Sequence, residues 1–271
     1  MSEIIFVELL NDEGEIYHSY KEEYWELVKL SGFKTCKIEE IDYQSSNYYI
    51  NYLKNGTTEA HYNHPQAKNC KCKLILHLME WGTWQDGIMK GFELESYYSE
   101  VWVSDRYFQK LLQDKNPDTR VKYVFFGSHK LFCGQPSIQK WDFVHLSYAY
   151  GTREHKMQIL ANNGYTFAPN GWGEEKKHSL AHSRWGLCLH QFPTPFCNSQ
   201  RLTLFASWKL PIVSDFIRDP YPYQTFPEGI IHFDPRNTIC GDRSAMADSV
   251  DMNHFLILHN SFKRSVEEAC N

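Results

Sequence analysis

Short apolar runs separated by polar segments of helical spacing recur along this chain. IIFVELL predicts a first strand over Glu3 to Leu10, and the next segment a helix over Glu22 to Ser31. Gly32 ends that helix, because glycine readily takes the left-handed backbone a helix stop needs. Thr35 to Ile41 alternates well enough for a strand, whereas Asp42 to Lys54, rich in Tyr and Asn, reads as loop and short helix. Gly56 to Cys72 is polar and shows no period. KLILHL, Lys73 to Leu78, is a continuous apolar run of the kind buried on both faces of a parallel sheet. Helical spacing over Trp84 to Tyr97, a strand over Glu100 to Ser104, a helix over Arg106 to Leu112 and a strand over Val121 to Phe126 complete this half.

Gly127 to Lys140 lacks periodicity and reads as a linker. A second series follows: strand Trp141 to Tyr148, helix Arg153 to Asn162, strand Tyr165 to Ala168, loop Pro169 to Gly173 and helix Glu174 to His182. Then come strand Trp185 to Leu189, polar loop His190 to Gln200, helix Arg201 to Trp208 and strand Pro211 to Ser214. Irregular chain is expected over Arg218 to Arg236, and a long terminal helix within Met246 to Ala269. Alternating strands and helices imply an α/β fold. The expected architecture is two Rossmann-like doubly wound lobes facing across a cleft, residues 1–132 and 133–251, with residues 252–271 packing back on the first.

Composition narrows the function classes. Hydrophobic residues are 42% of 271 and charged residues 23%, as in a globular protein. No run reaches the roughly 20 apolar residues that span a bilayer, and the N-terminus lacks a basic secretion signal, so a cytoplasmic location is expected. A net charge of −5 argues against holding nucleic acid by bulk charge. The eight cysteines show no framework. Cys70 and Cys72 are separated by one residue, closer than zinc sites prefer, although His61 and His64 lie just upstream. No Asp-x-Asp pair is present to hold a metal with a diphosphate, so no metal is expected. No G-x-G-x-x-G follows a strand, which argues against a dinucleotide enzyme.

The candidate chemistry is anionic. A loop with Pro193, Pro195, Asn198, Ser199 and Gln200 feeds a helix beginning at Arg201, and unpaired N–H groups beside an arginine suit phosphate. Gly151, Thr152 and Arg153 form another strand-to-helix turn where a backbone can approach a ligand closely. His190 ends one strand, within reach of a phosphate or a sugar, and Asp215 ends another. Each also has a structural reading: Arg201 paired with a carboxylate, Arg153 on a surface helix, His190 at an ordinary strand end. Glu80, ending the Leu74–Met79 run at an expected switch-point crevice, is placed as general base, with Glu8 and Asp86 as substitutes. The alternative for Glu80 is a helix cap. Tyr43, Tyr48, Tyr49, Tyr52 and Trp81 offer aromatic faces for an acceptor, or simply a small apolar cluster. His77 reads as core; Asp105 and Glu174–Glu175 read as helix-start charges.

Three stretches together resemble a nucleotide-sugar glycosyltransferase of the GT-B type: YYSEVWVSDRYFQKL with VKYVFFG, the strand ending in Gly151–Thr152–Arg153, and NGWGEEKKHSLAHSRWGLCLHQ followed by NSQRLTLFASWKLPIVSD. The resemblance implies an enzyme moving a sugar from a nucleotide diphosphate, a UDP-sugar first among them, to a hydroxyl acceptor. Small phage and bacterial enzymes that decorate hydroxymethylated DNA bases fit its length. It implies donor contacts at Gly151, Arg153, His190, Ser199, Gln200, Arg201 and Asp215, with the base near Trp172 and Gly173. Many retaining members carry a glutamate in the helix that here has Leu204 and Phe205; Asp215 is the stand-in. The alternatives are a transferase acting on a cell-surface glycan or protein, and a non-catalytic protein on the same scaffold that reads a nucleotide or modified nucleic acid.

Overall fold

A computed structural model describes residues 2–8, 21–53, 65–78, 97–129, 131, 133–191, 194–196, 198–219, 230–233 and 261–271. The chain divides into two compact units, Met1–Phe126 with Phe262–Asn271, and Gly127–Ser261.

Six parallel strands build the first unit: β1 (Ile4–Glu8), β2 (Lys34–Lys37), β3 (Tyr48–Leu53), β4 (Lys73–Leu78), β5 (Glu100–Val103) and β6 (Val121–Tyr123), in the order β2-β1-β3-β4-β5-β6. β4 is paired on both sides, with Ile75 opposite Ile50 and Glu100, and every residue but Lys73 is buried. That double burial is why KLILHL shows no polar alternation. Helix α1 (Lys21–Leu30) buries Tyr24, Leu27 and Val28 and stops at Gly32, whose φ of 76° only glycine takes without strain. Helix α2 (Arg106–Lys115) starts at Asp105, whose carboxylate accepts the Phe108 N–H at 2.6 Å.

β3 corrects the loop and short helix expected over Asp42 to Lys54. Its polar letters hide a buried strand: Asn51 is wholly buried, and its amide donates to the carbonyls of Tyr49 (3.3 Å) and Ile75 (3.4 Å). A satisfied side-chain amide fits a core position that its letter alone would place outside. The second expected strand is also shorter, running only to Lys37 before a single 3-10 turn over Ile38–Glu40. The helix expected over Trp84 to Tyr97 falls, except for its last residue, outside the described residues.

The second unit holds β7 (Trp141–Val144), α3 (Thr152–Asn162), α4 (Gly173–Ala181), β8 (Ser183–Cys188), α5 (Ser199–Ser207), β9 (Ile212–Ser214) and β10 (Ile230–His232), with the parallel order β10-β9-β8-β7. Phe143, Leu160, Trp185, Leu187, Leu189 and Val213 pack into its core. All nine residues of α5 are buried. Gly186 lets that helix sit close, since a Cβ there would lie 2.3 Å from the Phe205 ring. Two expectations change here. Residues 165–168 make one parallel bridge, Phe167 to Phe143, rather than a strand, and β10 lies within chain read as irregular.

Strand order fixes where ligands can bind. In the first sheet the order reverses between β1 and β3, so Glu8 ends a strand at that reversal. β4 lies one strand further on, not at the switch point expected for Glu80. In the second unit the chain steps from β7 to the Phe167 bridge on one side and to β8 on the other. Its reversal therefore lies between β7 and β8, and the crevice outside their carboxyl ends is the natural ligand position.

The last helix, α6 (Ser261–Cys270), belongs almost entirely to the first unit. Phe262 meets the rings of Phe6, Tyr24, Phe33 and Phe126 at 5.9–6.3 Å between centroids, and the Lys122 ammonium donates to the Ala269 carbonyl.

Candidate functional site

The carboxyl end of β8 gathers charge. The Leu189 carbonyl accepts from Arg153 Nε at 3.0 Å and from Arg201 Nη1 at 3.1 Å. Arg153 comes from the first turn of α3 and Arg201 from the first turn of α5; both are nearly inaccessible, at 6% and 3% exposure. Two guanidinium groups on one carbonyl, away from water, make this end of the sheet electropositive. Arg153 also donates from Nη1 to Ser147 Oγ (2.8 Å) and to the Tyr148 carbonyl (2.6 Å), which pins the loop leaving β7.

The turn before α3 is clamped to the turn after β8. Thr152 Oγ1 donates to the carbonyls of His190 (3.1 Å) and Gln191 (2.8 Å). Gly151 allows this approach: its φ is 65°, and a Cβ there would lie 3.1 Å from the Gln191 oxygen. On α5, Asn198 caps the helix by accepting the Arg201 N–H at 3.1 Å. Ser199 and Gln200 are buried in its first turn, and the Gln200 amide nitrogen has no hydrogen-bond partner.

Asp215, one residue past β9, joins these groups. Its Oδ2 accepts the His190 N–H at 2.7 Å, and its Oδ1 lies 2.5 Å from Lys156 Nζ. The His190 ring is buried and both its nitrogens lack partners, Nδ1 standing 3.9 Å from Asp215 Oδ2. Burial drives its pKa down to about 4; Asp215 opposes this, and Arg201, Lys156 and Arg153 reinforce it. His145, just past β7, is buried too. Its Nδ1 lies 3.0 Å from the Leu187 carbonyl, so that nitrogen is the protonated one, and Nε2 is left as an acceptor with no partner. Burial first, then Arg201, pushes His145 to about 3, so it is neutral at physiological pH.

Beside His190 a cleft of about 580 Å³ opens within the second unit. Lys156, His190 and Asp215 line it as polar groups, and Ile159, Phe216 and Phe233 supply apolar walls. Phe216 is 63% exposed, an uncommon state for a phenylalanine, and it forms part of the cleft wall.

Gly151, Arg153, His190, Arg201 and Asp215 thus meet at the end of β8, with Ser199 and Gln200 on the adjoining helix turn. Trp172 and Gly173 start α4 and do not line the cleft; Lys176 Nζ lies 5.4 Å from the Trp172 ring centre. Tyr48 and Tyr49 lie in the first unit at the amino end of β3, the edge opposite the one where such sheets bind ligands. Tyr49 is buried, its hydroxyl accepting the Asp42 N–H at 3.1 Å. Glu80, Trp81 and Asp86 lie outside the described residues. Lys156, His145, Phe216 and Phe233 were not singled out from the sequence. Lys156 had a signal, since it sits one helical turn beyond Arg153. Among the described residues, no cluster of three or more His, Cys, Asp or Glu could hold a metal ion, and no helix is long and apolar enough to cross a membrane.

No family model and no curated protein matches this chain. Solved structures do. The Glycosylation Associate Protein (Gap123) complex from Streptococcus agalactiae matches at TM-score 0.51 and 10% identity, over 85% of this chain and 55% of that one. The chain has a fold of the GT-B glycosyltransferase type. The DNA modifying enzyme beta-glucosyltransferase, solved with and without uridine diphosphoglucose, matches at TM-score 0.46 and 12% identity, over 99% of this chain and 95% of that one. The pneumococcal O-GlcNAc transferase GtfA, solved with UDP and GlcNAc, matches at 0.46 and 11% identity, over 83% and 54%. The chain therefore spans little more than half the length of Gap123 and GtfA. In a GT-B-type fold each parallel sheet presents its carboxyl edge to ligands, and in the second unit that edge carries the arginines, Lys156 and the cleft.

Proposed function

We propose that this chain is a glycosyltransferase that moves a sugar from a UDP-sugar to a hydroxyl acceptor, with the donor held at the carboxyl edge of β7, β8 and β9. The convergence of Arg153, Arg201 and Lys156 beside a cleft with an unpartnered buried histidine carries this reading. A diphosphate needs positive charge and hydrogen-bond donors, most of all as it leaves. The Lys156 stem is flexible enough to swing its ammonium from Asp215 to a phosphate. Arg153 and Arg201, fixed by the Leu189 carbonyl, hold a standing positive potential behind it. Phe216 and Phe233 offer flat apolar faces for a ring, while Ser199 and Gln200 add polar groups at the first turn of α5.

In the transfer the bond between the sugar's anomeric carbon and the phosphate oxygen breaks, its electron pair leaving with the diphosphate. The acceptor oxygen forms the new bond, and its proton passes to a base. Glu80 is the proposed base. A hydroxymethylated base in DNA is one acceptor within this reading.

A thermal-shift screen with UDP, GDP, ADP and their sugars tests the donor assignment, because a ligand that binds only the native state raises Tm. UDP and UDP-glucose are expected to raise it by several degrees at millimolar concentration. No shift with any uridine nucleotide would contradict the proposal. Glu80→Gln should cut turnover at least about a hundredfold while leaving donor affinity within about threefold; normal turnover would rule Glu80 out.

A further inference from the structure

His145 sits one residue past β7, at the strand reversal, and its ring is buried. Its Nδ1 donates to the Leu187 carbonyl at 3.0 Å, which leaves Nε2 as an acceptor with no partner among the described residues. Burial and the positive charge of Arg201 and Arg153 keep the ring neutral, so that lone pair stays available. Gln200 Nε2, in the first turn of α5, is a buried donor that also lacks a partner. Buried polar atoms without partners are rare in folded proteins, and at the ligand edge of a sheet each asks for a group that the ligand supplies.

A diphosphate diester cannot supply what His145 lacks. Near neutrality it carries acceptor oxygens and no proton, whereas Nε2 needs a donor. A hydroxyl both donates and accepts, so it suits an imidazole acceptor and an amide donor alike. The order of the sheet says which part of a nucleotide sugar brings it. The strands run β10-β9-β8-β7. Phe216 and Phe233, just past β9 and β10, form apolar walls of the cleft. Arg153 and Arg201 converge on the Leu189 carbonyl at the end of β8, and His145 follows β7, on the far side of them. A base against the phenylalanines and a diphosphate at β8 leave the sugar at β7. The loop after His145 also carries two exposed aromatic rings, Tyr148 and Tyr150, which suit the C–H face of a pyranose.

We infer that the carboxyl end of β7 is the sugar subsite, with His145 Nε2 accepting a hydrogen bond from a hydroxyl of the transferred sugar. This rests on the donor-site reading above and makes His145 a specificity residue within it. A sugar that is deoxygenated or fluorinated at that position is rejected because it leaves the buried acceptor unpaired.

His145→Asn separates the two roles of the ring. The asparagine amide can still donate to the Leu187 carbonyl, but nothing replaces Nε2. Calorimetry on the full chain should show UDP-glucose bound at least about fivefold more weakly by His145→Asn than by wild type, with UDP within about twofold. Among UDP-glucose analogues each lacking one sugar hydroxyl, one should bind the wild type with the same loss and lose nothing further in the variant. Equal losses for UDP and UDP-glucose, or no loss for either, overturn the inference and leave the donor site standing. No binding of either ligand to the wild type overturns both. A measurement on the wild type alone covers a variant that fails to fold. The nitrogen NMR signal of His145 Nε2 should move into the hydrogen-bonded range on adding UDP-glucose and stay in place on adding UDP. An equal movement with both ligands, or none with either, overturns the inference.

Discussion

Arg153 and Lys156 lie on the same face of α3 yet do different work. Arg153 is buried and ties together Leu189, Ser147 and Tyr148 through three hydrogen bonds. Removing a buried charged donor strands its acceptors, so Arg153→Met should lower unfolding free energy by about 2–4 kcal/mol in a urea melt. Lysine should not rescue it, because one ammonium cannot reproduce the planar fork. The Lys156 side chain is 25% exposed, and its ion pair with Asp215 adds little stability. Lys156→Met should therefore leave the melt within about 1 kcal/mol of wild type and weaken UDP-glucose binding at least about tenfold. Equal losses in both variants would mean that the two residues share one structural role. The sequence pointed to Arg153, Arg201, His190 and Asp215 because arginines at helix starts and polar groups at strand ends are visible in one dimension. It did not show that Arg201 would be buried against a carbonyl, nor that Lys156 would reach Asp215, 59 residues away. Those contacts depend on how far each helix stands from the sheet.

Elements that bury one uniform face were legible, and elements that break the hydrophobic code were not. β4 and β8 announce themselves as apolar runs between turns. β3 does not, because Tyr and Asn occupy its buried positions, and the Asn51 amide donates to carbonyls on its own and the neighbouring strand. β10 has three residues and exists through pairing with β9, from Ile230 opposite Ile212 to His232 opposite Ser214. Nothing local specifies it. The join between α3 and β8 is an element-scale device, and Gly151 is its hinge point. With φ at 65°, Gly151→Ala should cost about 1–3 kcal/mol through backbone strain alone. It should also weaken UDP-glucose binding, because the new Cβ presses on the Gln191 carbonyl. A variant as stable as wild type by chemical denaturation would contradict that account of the turn.

Across the whole molecule, alternation of strand and helix foretold parallel α/β units, and the structure has two of them, with the C-terminal helix returning to the first. Both units carry histidines that burial keeps uncharged: His77 and His145 are pushed down to about 3 and His190 to about 4. His77 is enclosed by Tyr24, whose hydroxyl is 3.0 Å from Nδ1, and by Trp102. Below the usual histidine pKa of about 6.5 the unfolded chain binds protons that the folded chain refuses. Stability should therefore be complete above about pH 6.5 and decline as pH falls towards 4, at a slope approaching two to three protons. A Tm that stays flat from pH 7 to pH 4 would contradict this. On the proposed function a nucleotide sugar binds at the carboxyl edge of the second sheet. Hydrogen–deuterium exchange of the full chain with and without saturating UDP-glucose tests it most directly. Slowed exchange over residues 151–156, 188–191 and 214–217 is the predicted result; calorimetric binding with protection confined to residues 1–126 would contradict it.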